Sequence, residues 1–139
     1  MSWTPNLENV PQPIPIKNLL KHAADILIRH HLIGFPQERL EDSHGLYGLR
    51  YGHFILLAKD YVYGDIISVH KEAVAIAIKH EVKLLIYLAS SNSFYSFRPE
   101  DILKNHEGEN RKGTARMLNF TIKLGKRFDL PIENVKGYV

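Results

Sequence analysis

The sequence predicts a single α+β domain with a mixed α/β arrangement, and three observations carry that expectation. Apolar residues recur at helical spacing in two separate stretches, around residues 18–32 and 69–81. Between and after them lie short runs rich in β-branched and aromatic residues, punctuated by Gly48, Gly52 and Gly64. Strands therefore come both before and after one central helix. The expected architecture is a central mixed β-sheet flanked by two main helices, in the order α-β-β-(β)-α-β-β-α-β.

Residues 1–16 carry Pro5, Pro11, Pro13 and Pro15 and no apolar period, so they read as an extended arm preceding a domain over 17–139. An arm with four prolines lacks amide donors for a ladder. If it is ordered, a partner subunit is expected to hold it, with Trp3 as the anchor. The first helix, 18–32, places Leu19, Ala23 and Ile26 beside Leu20, Ala24 and Leu27, with Asn18 as the expected N-cap and Gly34 and Pro36 as the stop. PQERLEDSHG reads as a polar loop. Strands are expected at about 46–51, 53–59 and 62–68, with Asp60 and Tyr61 at the last turn.

The second helix, 69–81, has Ser68 as a suitable N-cap and apolar residues on more than one side, so it is expected to be covered on most of its circumference. KLLIYLA is a buried strand, SSNS a turn and FYSF its return, forming a hairpin over 84–97. Strand 84–89 is expected at the centre of the sheet, with helix 69–81 packed across it. Pro99, Glu100 and Asp101 open a short helix: proline suits the first position and the acids suit the positive end. NHEGENRKG reads as a loop. LNFTIKL alternates, with Leu118, Phe120, Ile122 and Leu124 on one face.

Composition narrows the function classes. Hydrophobic residues make up 45% and charged residues 24%, which fits a globular chain and not a disordered or coiled-coil one. The apolar runs fall far short of the roughly 20 residues a spanning helix needs, so no membrane partner is expected. No charged and apolar leader opens the chain, and there is no cysteine. An intracellular, cytoplasmic setting is the expectation, and any metal site must use His, Asp and Glu. The net charge of +3 permits an anionic partner such as nucleic acid. No Walker loop, GxGxxG or GxSxG motif is present, which disfavours NTPase, dinucleotide and α/β-hydrolase chemistry.

The sharpest local feature is HFILLAK followed by Asp60. Alternation puts His53, Ile55, Leu57 and Lys59 on one face of this strand. A lysine ending so apolar a run needs a cleft, an ion pair or water. The eight histidines (His22, His30, His31, His44, His53, His70, His80 and His106) show no metal-ligand spacing and read as surface and helix-end residues. From Arg98 to Arg127 cations are frequent. Arg98, Arg111, Lys112, Arg116 and Lys123 are candidate phosphate contacts, although Glu100, Asp101, Glu107 and Glu109 dilute the run. Tyr87, Phe94, Tyr95 and Phe97 read as core packing ahead of base stacking.

The order of elements over residues 18–97, with Lys59 on a middle strand, resembles the PD-(D/E)xK nuclease-like superfamily. The resemblance implies a metal-dependent phosphodiesterase acting on nucleic acid. Lys59 would be its catalytic lysine, and Mg²⁺ or Mn²⁺ would be held by convergent carboxylates. The position two before Lys59, where the motif carries an acid, is Leu57. Asp42 and Asp65 are the expected replacement metal ligands, ahead of Glu41 and Asp60. Two alternatives stand beside this: a non-catalytic nucleic-acid-binding module, and a structural protein that forms homo-oligomers through the N-terminal arm.

Overall fold

The computed structural model of the chain describes residues 15–30, 33–60, 62 and 64–128. The arm through residue 14, with Trp3 and the oligomer contact expected of it, lies outside the described residues.

Helix α1 spans Ile16–Arg29 and buries Leu19, Leu20, Ala23, Ala24, Ile26 and Leu27 on one face. Its N-cap is Pro15 and not Asn18: the Pro15 carbonyl accepts the N–H groups of Asn18 and Leu19 at 2.9 and 3.2 Å. The fixed φ of proline, here −56°, already suits a helix entry. Three antiparallel strands follow: β1 at Glu38–Asp42, β2 at Gly45–Arg50 and β3 at Phe54–Lys59. β1 replaces the loop expected over PQERLEDSHG. It is an edge strand in which only Leu40 is fully buried, so its own pattern reads as polar.

β4, at Ile66–His70, does not return along β3. It pairs with a different strand in a second sheet. Helix α2, at Lys71–Lys79, is capped by His70 and not by Ser68, whose hydroxyl instead donates to Asn119. α2 buries Ala73, Val74 and Ala77 but leaves Ala75 exposed, so it is covered on one side and not all round. The chain crosses to β5, at Lys83–Leu88, which lies parallel to β3, then turns back through β6, at Ser93–Phe97. α3, at Pro99–Asn105, starts where the Pro-Glu-Asp signal places it.

NHEGENRKG forms β7, at Gly108–Lys112, and not a loop; it hairpins onto β8, at Ala115–Thr121. The LNFTIKL strand ends early: Ile122 and Leu124 sit in a 3₁₀ turn but still pack on the same core. β9, at Lys126–Phe128, adds an edge to β6.

The main sheet has the order β1-β2-β3-β5-β6-β9, and the small sheet β4-β8-β7. β5 lies inside the main sheet between β3 and β6, with Ile86 only 1% exposed, and α2 packs across that sheet. The fold is α+β, as its pattern predicts. α1 covers one face of the main sheet, against Leu49, Leu56, Ala58, Leu85, Tyr87 and Phe94. The other face buries Ile55, Leu57, Leu84, Ile86 and Phe97 against α2, α3 and the small sheet. Tyr87, Phe94 and Phe97 are buried core residues, as expected. Alternation along β3 thus divides it cleanly, with Leu56 and Ala58 toward α1 and Ile55 and Leu57 toward the small sheet. Lys59 continues the second set to the point where the core ends.

Candidate functional site

A cleft of about 480 Å³ opens at that point, between the ends of β1–β3 and the small sheet. Lys59 and Ala58 of β3, Asp42 of β1, Tyr47 of β2, His70 of β4 and Lys112 of β7 all line it. The start of α1, with Pro15 and Lys17, completes the wall. The first turn of that helix has no acid, so its positive end adds to the cations of the cleft.

A β-bulge positions the aromatic wall. Leu40 faces Gly48 across the β1–β2 pair, but Glu41 faces Leu46. Tyr47 is therefore the extra residue, and the bulge turns it to the same side as Gly48. There Tyr47 is 5% exposed and stacks on the His70 ring, with centroids 3.6 Å apart and planes 11° apart. Burial, then the carboxylates of Glu72, Asp42 and Glu38, push its hydroxyl well above its ordinary pKa.

The His70 ring is also held at its edge: Nε2 lies 2.8 Å from Asp42 Oδ2. The other Asp42 oxygen, Oδ1, accepts the backbone N–H of His44 at 2.7 Å. Burial raises the pKa of Asp42, but these bonds and the two neighbouring imidazoles outweigh it, so the carboxyl stays below its usual range. For His70, burial lowers the pKa, Asp42 opposes that, and Lys59 and Lys112 add to it; the net direction is down. With Asp42 ionised and accepting from Nε2–H, the neutral ring carries its lone pair on Nδ1.

Lys59 is the other perturbed group. Burial first, and then the Lys112 charge, lower its pKa from 10.5 to about 8. Two ammonium groups in one half-buried cleft repel each other, and an anion between them would remove that repulsion. Beside the cleft the two hairpin tips meet: Ser43 Oγ lies 3.4 Å from Thr114 Oγ1. A second cavity of about 390 Å³ lies on the far side of the Asp42–His70 pair, lined also by Lys71, Glu72 and Arg116.

Of the candidate residues, Lys59, Asp42 and Lys112 come together in the cleft and Arg116 in the adjoining cavity. Arg111 stands directly opposite Arg116 on the exposed β7–β8 hairpin. Arg98 caps α3. Asp65 precedes β4, at the end opposite His70, and pairs with Lys123 at 3.3 Å. Asp42 and Asp65 therefore do not converge. Glu41 pairs with Arg39 at the rim, at 3.6 Å. Leu57 is 3% exposed and packed in the core. Both Asp42 oxygens are already engaged, and no cluster of three His, Asp or Glu side chains that could hold a metal forms among the described residues. This donor set, with two lysines facing it, does not fit a hard divalent cation, which needs several free oxygens. His70, Tyr47 and His44 are the site residues that sequence reasoning missed. No local signal marks them: 28 positions separate His70 from Asp42.

No family model, curated protein or solved structure matches the chain. No helix among the described residues is long and apolar enough to cross a membrane.

Proposed function

We propose that the cleft binds a phosphodiester of nucleic acid and that the chain is a phosphodiesterase. The convergence of Lys59 and Lys112 beside the Asp42–His70 pair carries this. The lysines supply what a phosphate needs, fixed positive charge in a partly dehydrated site. The clamped imidazole supplies a proton acceptor or donor within the same cleft. Arg116 and Arg111 face each other across the hairpin pair, where like charges are unfavourable unless an anion or water screens them. They extend the cationic surface beyond the cleft and would hold neighbouring phosphates of a chain. The nuclease-like resemblance rests on a helix, a run of strands, a second helix and a further strand. α1, β1–β3, α2 and β5 follow that order, while β4, between β3 and α2, departs from it by pairing in the second sheet.

Leu57 favours a second reading, a nucleic-acid-binding module, because a buried leucine occupies the position of an acid. One experiment addresses both. Binding of a labelled oligonucleotide is measured against salt, with cleavage followed in the same samples. Wild type should bind with a steep salt dependence, and Lys59→Ala with Lys112→Ala should flatten the slope by about two units. Cleavage by wild type selects the phosphodiesterase; binding alone selects the module. A chain that neither binds nor cleaves at about 50 mM salt, where backbone contacts are strong, sinks both.

A further inference from the structure

We propose that this cleft cleaves RNA without a metal ion, using the 2′-hydroxyl of the substrate as the nucleophile and His70 and Lys59 as base and acid. The inference rests on the cleft being a nucleic-acid phosphodiester site, and it specifies which nucleic acid and which chemistry.

Three observations lead to it. The donor atoms do not suit a divalent cation: no group of three His, Asp or Glu side chains forms there among the described residues, two lysines line the same cleft, and Leu57 presents only methyl groups. Water is then a poor nucleophile, since nothing in the cleft lowers its pKa as a metal would. A hydroxyl already attached next to the phosphorus has a high effective concentration and needs only a base. The second observation is that such a base is present and fixed on two sides. Asp42 holds the Nε2 edge at 2.8 Å, and Tyr47 stacks on the ring face at 3.6 Å. That leaves Nδ1 as the basic nitrogen. The third is the pair of lysines lining the same cleft. One can neutralise the non-bridging oxygens, and the other can protonate the leaving group.

The step balances without a co-reactant. Nδ1 of His70 takes the proton of the 2′-hydroxyl, and O2′ forms a bond to the adjacent phosphorus. The P–O5′ bond breaks, and Lys59 Nζ gives a proton to O5′. Lys112 keeps its charge beside the phosphate. The products are a 2′,3′-cyclic phosphate and a 5′-hydroxyl; His70 is left protonated and Lys59 neutral, and exchange with solvent restores both. A Lys59 pKa near 8 is compatible with that proton donation near neutral pH. Asp42 acts through His70 and is a positioning residue. DNA, which lacks the 2′-hydroxyl, should bind and stay intact.

The test uses the full chain in EDTA with three labelled single strands of one sequence: RNA, DNA, and DNA carrying a single ribonucleotide. The expected result is cleavage of the RNA, cleavage of the chimera only on the 3′ side of its ribonucleotide, and intact DNA bound with comparable affinity. Mass spectrometry should find the cyclic phosphate, one water lighter than the linear phosphate. A 2′-O-methyl group on that ribonucleotide should abolish cutting, a control that does not depend on any variant folding. His70→Gln and Lys59→Ala, purified in parallel, should each lose at least about 100-fold in rate. His70→Gln should retain DNA binding, and Lys59→Ala should weaken it only by the one phosphate contact it removes, about one unit of salt slope. Cutting of the 2′-O-methyl chimera, equal cutting of DNA, or activity that appears only when Mg²⁺ or Mn²⁺ is added would overturn the inference and leave the phosphodiesterase standing. Binding of RNA and DNA with neither cut would overturn it and leave the binding module. If neither strand binds nor is cut, the inference and the proposed function fall together.

Discussion

Lys59 sits half-buried at the end of an apolar strand with a second ammonium across the cleft, and its titration is the most direct reporter of the site. Reductively ¹³C-methylated protein should show one lysine titrating near pH 8, and Lys112→Ala should move that midpoint upward. A midpoint near the ordinary 10.5 would mean that Lys59 is neither desolvated nor opposed. The sign for stability follows from the folded pKa lying below the unfolded one. The folded state disfavours the charged form, so Lys59 costs stability below pH 8. That cost is relieved as pH rises from about 8 to 10.5. Lys59→Met should therefore be more stable than wild type at pH 7, by about 2 kcal/mol, with the gap closing toward pH 10.5. Chemical denaturation at both pH values measures this. Asp42 acts in the opposite sense on His70, whose pKa it raises against burial and the two lysines. In Asp42→Asn the His70 midpoint, followed by its ring proton resonances, should fall further; a rise would refute the 2.8 Å contact.

At the scale of elements, the β2 bulge and the β3 strand are fitted to one another. A Cβ on Gly48 would lie 2.9 Å from Leu57 Cδ2 and 3.3 Å from the Leu56 carbonyl oxygen. Gly48→Ala should cost about 1–3 kcal/mol through overpacking. Leu57→Val removes the nearer atom, so the double variant should be less destabilised than the sum of the two single changes. Thermal or urea unfolding of all four proteins gives the coupling, and strict additivity would place the two side chains out of contact. α1 is fixed to the opposite face by Leu20 and Leu27, at 0% and 1% exposure.

The cleft exists only because two sheets meet, and their two hairpin tips touch beside it, in the lining of the adjoining cavity. Gly113 of the β7–β8 turn has φ +64°, and a Cβ there would lie 2.8 Å from His44 Nε2. Gly113→Ala should destabilise the molecule by about 1–2 kcal/mol through its left-handed backbone, since the exposed His44 ring can swing aside; urea unfolding measures this. Adding His44→Ala should change that cost little, because the backbone strain is what remains. A Gly113→Ala protein with unchanged stability would show that the turn does not need the left-handed conformation.

The residues themselves determined the helix faces, the β3 alternation that singles out Lys59, and the central position of the strand around Ile86. Each is a local period that burial imposes on consecutive positions. The Pro-Glu-Asp start of α3 was legible for the same reason. Only the tertiary structure decided the rest. β1 and β7 are polar edge strands whose hydrogen bonds come from a neighbour, so neither carries a period of its own, and both read as loops. β4 left the main sheet because its partner, β8, lies about 50 residues further along the chain. The site followed the same logic. Lys59 was visible at the end of its strand, but Asp42, Tyr47, His70 and Lys112 arrive from four other strands, through a bulge, a helix cap and a hairpin tip. Their convergence is a property of strand pairing between distant segments, which no local window contains.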